Sequence, residues 1–267
     1  MKKILALLLA LTFVLGFAGC GNNQGETSYD DLGVALELTS EEYGIGFRKG
    51  SDLTNKVNEI IDELKSEGFM DEIAEKYDLT LADSEAEKAE ETVKDLDYIK
   101  ANGKMIIGIT DYAPMNYKDE NGKWTGFDTE FAEKVCEKLG VSAEFIEIDW
   151  DGKFMALESK AIDCIWNGMT ISEEVLKNTS CSKAYVKNAQ VVVLAKDKLE
   201  NYKDVESMKD LTFAVEAGSA GATAAKDSGF KNVVEAGTQT DALLEVQSGS
   251  CDACIIDITM ANAMLGK

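Results

Sequence analysis

Histidine is absent from this 267-residue chain, and arginine and proline each occur once, as Arg48 and Pro114. Without histidine the chain can form neither a Ser-His-Asp triad nor a Cys-His pair, and it lacks the commonest transition-metal ligand. Basic residues are scarce as well: 27 Lys and Arg stand against 49 Asp and Glu, which gives a formal net charge of −22. Because binding to nucleic acid requires clustered positive charge, this composition argues against a nucleic-acid partner.

Residues 1–20 have the pattern of an export signal. Lys2 and Lys3 precede an apolar run, and small residues lead up to Cys20. The run is too short to span a membrane as a relaxed helix. Small residues followed by cysteine resemble a bacterial lipobox, so we predict a signal peptide over 1–20, lipidation at Cys20 and a polar tether over 21–28. The alternative is ordinary secretion with an incidental cysteine.

Five further cysteines remain after Cys20. Cys251 and Cys254 form a C-x-x-C pair, but neither a second such pair nor a histidine accompanies it, so a zinc site is not expected. We interpret all five as small buried hydrophobic residues, with disulfide pairing left open. The sequence predicts no metal and no cofactor.

Hydrophobic periodicity alternates between strand-like and helix-like segments, which predicts an α/β architecture with mostly parallel sheets. The 267 residues suit one large or two ordinary domains, and 45% hydrophobic residues suffice for a sizeable core. Residues 83–94 are rich in Glu, Lys and Ala and indicate a solvated linker or a loose helix. The predicted helices are 53–64, 69–77, 127–139 and 153–159, and the main strands are 105–110, 143–149, 162–166, 190–195, 211–215 and 253–257.

Polar and aromatic residues follow the carboxyl ends of these strands, where ligands bind in α/β sheets. No nucleophile with an adjacent base is among them, so they indicate a binding site for a small polar molecule rather than a catalytic site. The alternative is that the aromatic residues belong to the core and the acidic residues cap helices. The candidates are Asp111, Tyr112, Trp150, Asn167, Gly168, Thr170, Ser219, Ala220 and Asp257.

The segment GFDTEFAEKVCEKL, residues 126–139, resembles the signature of the polar amino-acid family (family 3) of bacterial solute-binding proteins. The similarity extends over 98–267 and includes the segments IGITDYAPMN, CIWNGMTI, FAVEAGS and DACIID. Members of this family are extracytoplasmic receptors of ABC importers. The resemblance implies a type II periplasmic-binding-protein-like fold, in which two α/β lobes joined by two crossing segments close on a ligand.

The order of the segments differs from the family pattern. Residues 40–50 and the two helices after them resemble the end of a family member, yet here they come first. The chain therefore resembles a circular permutant in which residues 83–94 join the old termini. This order assigns 29–39 and 195–267 to lobe 2, assigns 40–82 and 95–194 to lobe 1, and places the crossings near 38–43 and 193–196. The alternative is a truncated or fused remnant.

The resemblance also implies a role for each candidate. Asp257 would hold the ligand's α-ammonium group, Trp150 would form an aromatic wall, and Ser219 and Ala220 would open a helix toward a carboxylate. The first loop would contribute Asp111 and Tyr112, and lobe 1 would contribute Asn167, Gly168 and Thr170. The arginine with which the family clamps a carboxylate corresponds to Val175, and Glu216 adds a further candidate carboxylate to the pocket.

We therefore expect a receptor, not an enzyme, that captures a small polar solute, an amino acid in first place, and delivers it to an ABC importer permease. Its lipid anchor would hold it on the outer face of the cytoplasmic membrane. One alternative is an amine or another cationic solute without a carboxylate, because Val175 replaces the clamp; another is a degenerate receptor that binds nothing. An enzyme resembling the cyclic amino-acid dehydratases of this fold, with Glu216 or Asp111 as general acid, is a further alternative.

Overall fold

The computed structural model describes residues 28–85 and 88–265. The predicted signal peptide, the lipidation site Cys20 and the tether up to residue 27 lie outside the described residues. The strands are β1 (Leu32–Glu37), β2 (Glu41–Phe47), β3 (Lys104–Ile109), β4 (Tyr117–Lys118), β5 (Trp124–Thr125), β6 (Ser142–Glu147), β7 (Cys164–Thr170), β8 (Ser180–Cys181), β9 (Val186–Asn188), β10 (Gln190–Ala195), β11 (Thr212–Glu216), β12 (Asn232–Ala236) and β13 (Ala253–Asp257). The helices are α1 (Leu53–Ser66), α2 (Phe69–Lys76), α3 (Asp95–Asn102), α4 (Phe127–Leu139), α5 (Lys153–Glu158), α6 (Glu173–Asn178), α7 (Ala220–Asp227), α8 (Gln239–Gln247) and α9 (Ile258–Met264).

Two large sheets define two lobes, and β4 and β5 form a separate two-stranded sheet. The lobe 1 sheet has the order β6-β3-β7-β2-β8, with β9 paired to β2, and the lobe 2 sheet has the order β1-β10-β13-β11-β12. The expectation of mostly parallel sheets is wrong, because both sheets are mixed. Strand β3 is parallel to β6 and β7, and β11 is parallel to β12 and β13, whereas β2 and β10 run antiparallel to their neighbours. The antiparallel strands are those that enter or leave a crossing between the lobes.

One predicted crossing agrees with the sheets and the other does not. The chain passes from β1 to β2 through residues 38–40, within the predicted interval. The second crossing is at Ala189, between β9 and β10, and not near 193–196. Strand β10 pairs with β1 and β13, so residues 190–194 belong to the lobe 2 sheet although the sequence interpretation assigns them to lobe 1.

The N-terminal residues complete both sheets. Strand β2 lies inside the lobe 1 sheet and its side chains are buried from Tyr43 onward, while β1 forms one edge of the lobe 2 sheet. The guanidinium of Arg48, just after β2, forms ion pairs of 3.0 Å with both Asp95 and Asp163. It also donates to the carbonyls of Leu157 and Ile162. Strand β2 and Arg48 are therefore integral to the core of lobe 1.

The described part of 83–94 is not helical, so the loose-helix alternative is wrong there. Its backbone is held against lobe 1 by bonds from the Thr92 and Val93 amides to the Gly50 carbonyl, at 2.8 and 2.9 Å. The side-chain NH2 of Asn55 donates to the Ala89 carbonyl, and the side-chain oxygen of Asn55 accepts the Ala89 amide, both at 2.8 Å. Residues 88–94 therefore lie along the surface of lobe 1.

The five cysteines within the described residues are free thiols. Cys136, Cys164, Cys251 and Cys254 are buried, as expected of small hydrophobic residues, and Cys181 is partly exposed. Within residues 28–85 and 88–265, no helix combines the length and the apolar character that crossing a membrane requires.

Candidate functional site

A cleft of about 340 Å³ separates the two sheets. Its size is in the range of small-molecule sites. Lobe 1 lines it from the end of β7 and from the turn before α5, and lobe 2 lines it from the ends of β11 and β13 and the start of α7. The predicted residues among its walls are Trp150, Asn167, Gly168, Thr170, Glu216, Ser219, Ala220 and Asp257.

The structure does not place Asp111 or Tyr112 in the walls of the cleft. The Tyr112 side chain is only 1% exposed, and its hydroxyl shares hydrogen bonds with those of Tyr43 and Thr259 at 2.5 Å each. Tyr112 is therefore a core residue, as the alternative interpretation held. Asp111 is exposed, and its carbonyl accepts a bond from Thr240 of lobe 2 at 3.4 Å.

The lobe 1 wall is built at the end of β7. The φ of +57° at Gly168 suits glycine, and a Cβ there would lie 2.6 Å from the Tyr112 ring. The Gly168 amide donates to Asp128 at 2.6 Å. Burial raises the pKa of the Asp128 carboxyl to about 7. Asn167 bonds inward to Thr110 at 2.7 Å, so its side-chain amide supports the wall and does not point free into the cleft.

Lys153, at the start of α5, is a wall residue that the sequence interpretation missed. Its side chain is buried, and Nζ donates to the Trp150 carbonyl at 3.1 Å and, across the cleft, to the Gly218 carbonyl at 2.8 Å. Nζ also lies 5.0 Å from the centroid of the Trp150 ring and 4.8 Å from that of Phe154. Burial lowers the pKa of this ammonium. Lys153 therefore connects the two lobes.

The lobe 2 wall begins with a tight approach at Gly218. Its φ is +66°, and a Cβ there would lie 2.7 Å from the Cα of Asp151 in lobe 1. Ser219 then caps α7 by accepting the Ala222 amide at 3.1 Å. The amides of Ala220 and Gly221 carry no hydrogen bond within the described residues. The positive end of this helix is thus directed at the cleft.

Asp257, the last residue of β13, is buried and densely hydrogen bonded. Its Oδ1 accepts the side-chain amides of Asn188 and Gln190, its Oδ2 accepts that of Gln239, and its backbone amide donates to Gln239 Oε1 at 2.9 Å. Burial and the neighbouring Glu41 carboxylate raise the pKa of Asp257.

Glu41, at the first residue of β2, is a second wall residue that the sequence interpretation missed. Its Oε1 accepts bonds of 2.7 Å from each of Thr170, Asn188 and Gln190. In the sequence, Glu41 belongs to the polar run Ser-Glu-Glu, which is typical of a solvent-exposed surface. No local pattern therefore predicts that Glu41 lines a binding site.

Val175, which the sequence resemblance aligns with the family's arginine clamp, lies on α6. Its side chain is only 4% exposed and packs in an apolar cluster with Trp150, Leu157 and Met169. The same side chain lines the cleft. The wall is therefore apolar at this point, and Lys153 is the one basic side chain among the described residues that line the cleft.

The arrangement has the chemistry of a binding site. Two buried carboxylates, Glu216 and Asp257, and the helix amides of lobe 2 line the cleft together with the Trp150 ring of lobe 1, as in sites that bind small polar molecules. Within the described residues, no three His, Cys, Asp or Glu side chains are grouped so that they could hold a metal ion.

Comparison with known proteins is consistent with this geometry. Residues 105–243 match the family model of bacterial extracellular solute-binding proteins, family 3. A probable amino-acid ABC transporter-binding protein of Haemophilus influenzae is 33% identical over 162 residues, which cover 60% of this chain and 62% of that protein. The arginine-binding extracellular protein ArtP of Bacillus subtilis is 32% identical over 166 residues, covering 59% of this chain and 62% of ArtP. The chain thus spans about three fifths of the length of these curated relatives.

Solved structures give the same fold. The holo form of ArgBP from T. maritima aligns with a TM-score of 0.60 at 35% identity, covering 62% of this chain and 74% of that one. The ancestral amino acid-binding protein AncCDT-1, described as a precursor of cyclohexadienyl dehydratase, aligns with a TM-score of 0.59 at 33% identity, with coverages of 62% and 74%. The fold is therefore the two-lobe, type II periplasmic-binding-protein-like fold. By its sequence and by its structure, the chain belongs to family 3 of the bacterial extracellular solute-binding proteins.

Proposed function

We propose that this chain is an extracytoplasmic receptor that captures a small polar solute, an amino acid in first place, between its two lobes and delivers it to an ABC importer. The observation that carries the proposal is the cleft, in which two buried carboxylates of lobe 2, Glu216 and Asp257, and the partly buried Glu41 of lobe 1 accompany the free amides at the start of α7. Such a pairing complements a zwitterion, because the carboxylates suit an ammonium group and the helix amides suit a carboxylate.

Closure of the lobes is the proposed capture mechanism. Lys153 and Gly218 bond across the cleft, and Thr259 of lobe 2 bonds to Tyr43 and Tyr112 of lobe 1. Contacts of this kind form only when the lobes are together, and a ligand that touches both walls would favour that state. The relatives are named as binding proteins and not as enzymes, and we propose no catalysis here.

A cationic solute without a carboxylate is the second candidate ligand. It is favoured by Val175, which leaves an apolar wall where the family resemblance calls for an arginine. Removing one partner of a desolvated ion pair costs about 2–5 kcal/mol, so an α-carboxylate would lose a large part of its binding energy. The helix amides at Ala220 and Gly221 would be its main remaining partners.

A thermal-shift screen of the chain from Gly21 onward tests the proposal. The panel contains the twenty amino acids, their amides and simple amines at millimolar concentration. Because a ligand that binds the folded state raises the melting temperature by mass action, even weak binding is detected. A rise with an amino acid supports the first candidate, and a rise with amines alone supports the second. A cooperative transition that no solute raises, together with no binding of arginine, agmatine or citrulline by titration, would refute the receptor proposal.

We also propose that the chain is a circular permutant. In support, residues outside the family match still complete both sheets, with β2 inside the lobe 1 sheet and β1 at the edge of the lobe 2 sheet. A gene that encodes residues 95–265 followed by 28–82 would restore the family order. The protein it encodes should melt cooperatively and bind the same solute; if it does not fold, the two orders are not equivalent and the permutation proposal fails.

Lipid anchoring at Cys20 belongs to the same proposal. Family 3 proteins are extracytoplasmic, and the lipobox-like sequence before Cys20 would attach this one to the membrane surface. Labelling with a fatty-acid analogue in a bacterial host tests this: the label should be present in the wild type and absent in Cys20→Ala. Equal labelling of both would refute the anchor, and co-purification of a permease would test the proposed partner.

A further inference from the structure

The carboxylates that line the cleft differ in how many hydrogen bonds they accept from the protein itself. Oε1 of Glu41 takes three donors, and the carboxylate of Asp257 takes the side-chain amides of Asn188, Gln190 and Gln239. These two carboxylates are therefore held within a network of buried side chains. A solute that approached Asp257 would meet a group whose oxygens are already hydrogen bonded.

Glu216 is the exception. It ends β11, its residue is 3% exposed, and it lines the cleft. Its Oε1 is a buried atom with no hydrogen-bond partner within the described residues. Leaving a buried acceptor without a partner is costly in free energy, and a buried polar atom of this kind needs a physical explanation. A ligand that supplies the missing donor is such an explanation, because Glu216 lines the cleft that the ligand would fill.

Several charged and polar groups face Glu216 from the elements around it. Asp257 of β13 and Asp241 of α8 contribute negative charge, Lys153 of α5 contributes positive charge, and Thr110, after β3, contributes a hydroxyl. Lys153 directs two of its hydrogen bonds to backbone carbonyls, those of Trp150 and Gly218, and so connects the lobes. Among residues 28–85 and 88–265, no lysine or arginine forms a direct ion pair with Glu216. Burial, reinforced by Asp257, raises the pKa of Glu216 to about 8.

We propose that Glu216 is the carboxylate that contacts the ligand, and that it receives a cationic nitrogen group of the solute, an ammonium or a guanidinium. This inference rests on the proposed receptor function and assigns to Glu216 the part that the family resemblance gives to Asp257. Asp257 then acts as a positioning residue, which orders the side-chain amides around it. The solute class is narrowed to molecules that carry a positive charge able to donate hydrogen bonds at this end of the cleft.

Isothermal titration with arginine, agmatine and citrulline tests the assignment. Agmatine keeps the guanidinium but lacks the carboxylate, and citrulline keeps the carboxylate but has a neutral group in place of the guanidinium. We expect the wild type to bind at least one of the two cations, arginine or agmatine. Glu216→Gln should weaken that binding by at least about 30-fold. The matched control Glu235→Gln, on the neighbouring strand β12 and exposed, should change it by less than about twofold.

A second readout separates contact from mere structural support. In the free protein Glu216 holds a proton at pH 7, and a bound cation would stabilise the ionised form, so binding should release protons. Titrations in two buffers of different ionisation enthalpy measure that release, which should disappear in Glu216→Gln. The melting temperature of the free variant should not fall, because the substitution removes no contact made by Oε1.

The outcomes distinguish the inference from the function on which it rests. If Glu216→Gln retains wild-type affinity while Asp257→Asn abolishes binding, the assignment to Glu216 is overturned and the receptor function stands. If the wild type binds citrulline, whose cationic nitrogen is the α-ammonium group, and Glu216→Gln leaves that affinity unchanged, Glu216 does not receive this group and the assignment fails, although the receptor function again stands. If the thermal-shift panel and these three probes all fail to bind the folded wild type, the receptor function falls and the inference falls with it.

Discussion

The single arginine offers the sharpest test of how the N-terminal segment is held. Arg48 follows β2, and its guanidinium lies between Asp95 and Asp163, whose side chains are 1% and 2% exposed. Its remaining donors reach the carbonyls of Leu157 and Ile162 at 3.3 and 2.7 Å. Replacing Arg48 by methionine would leave two buried carboxylates and two carbonyls without these partners.

The magnitude follows from that burial. Removing one partner of a buried ion pair costs about 3–5 kcal/mol, and domains are stable by only about 5–15 kcal/mol. In a protein of this size each kcal/mol shifts the melting temperature by about 2–4 °C, so Arg48→Met should lower it by roughly 6–20 °C. Arg48→Lys should have an intermediate effect, because an ammonium keeps the charge but cannot reproduce the planar fork of donors.

Urea unfolding monitored by circular dichroism measures the free energy directly. Lys104→Met is the control, since the Lys104–Glu144 pair is exposed by 41% and 43% and should contribute only about 0–1 kcal/mol. The expected loss in Arg48→Met should also persist at high salt, because buried pairs are little screened. If Arg48→Met lost no more stability than the control, the ion pairs would not hold this segment, and the reasoning from burial would be refuted.

Three further predictions concern pH, closure and the wall at α6. Because burial raises the pKa of Asp128 to about 7 from an ordinary value of 3.8, the native state keeps a proton that the unfolded chain releases. Stability should therefore fall as pH rises from about 4 to about 7, by up to about 4 kcal/mol for this group. Asp128→Asn should flatten the fall seen in melts over that range, and an unchanged slope would contradict the assignment. Gly218→Ala would place a Cβ 2.7 Å from the Asp151 Cα when the lobes are together, so affinity measured by titration should drop about tenfold or more. Because the φ of +66° strains alanine whether or not the lobes are closed, the melting temperature of the free protein should also fall, by about 2–8 °C. Unchanged affinity would show that closure does not require this approach. Val175→Arg should strengthen the binding of amino acids relative to their amides, and overpacking should lower the free energy of unfolding by about 1–3 kcal/mol. An unchanged ratio of the two affinities would mean that this position does not face the ligand's anionic group.

Elements with strong local periodicity could be predicted closely from the sequence. The amphipathic pattern of 127–139 coincides with α4, and the apolar runs 190–195 and 253–257 coincide with β10 and β13. The lobe to which β10 belongs could not be predicted from the local sequence pattern. An apolar run such as QVVVLA looks identical whichever sheet it joins, and only its pairing with β1 and β13 decides the lobe.

In the candidate site, too, local sequence patterns do not predict contacts between side chains that are distant along the chain. Trp150, Ser219 and Asp257 could be named because they stand at strand ends within recognisable motifs, and all three line the cleft. Tyr112 was misplaced because its hydroxyl partner Tyr43 lies 69 residues away in the chain, and no local pattern records that contact. Lys153 was missed for the opposite reason: a lysine at a helix start normally extends into solvent, and its burial depends on Gly218 of the other lobe.

Strand β13 occupies the middle of the lobe 2 sheet, between β10 and β11, although it follows both along the chain. A ribosome therefore makes every strand of the lobe 1 sheet, the last being β9 at residues 186–188, before it makes the strand that joins the two halves of lobe 2. Until residues 253–257 have been synthesised, β10 and β11 have no shared neighbour in the sheet. Strand β1 can pair only after β10 has been synthesised, more than 150 residues later, because Leu32 pairs with Ala195. Such distant pairings form slowly. Lobe 1, which carries Trp150 and Lys153, can thus fold before lobe 2, which carries Glu216 and Asp257 and is completed last.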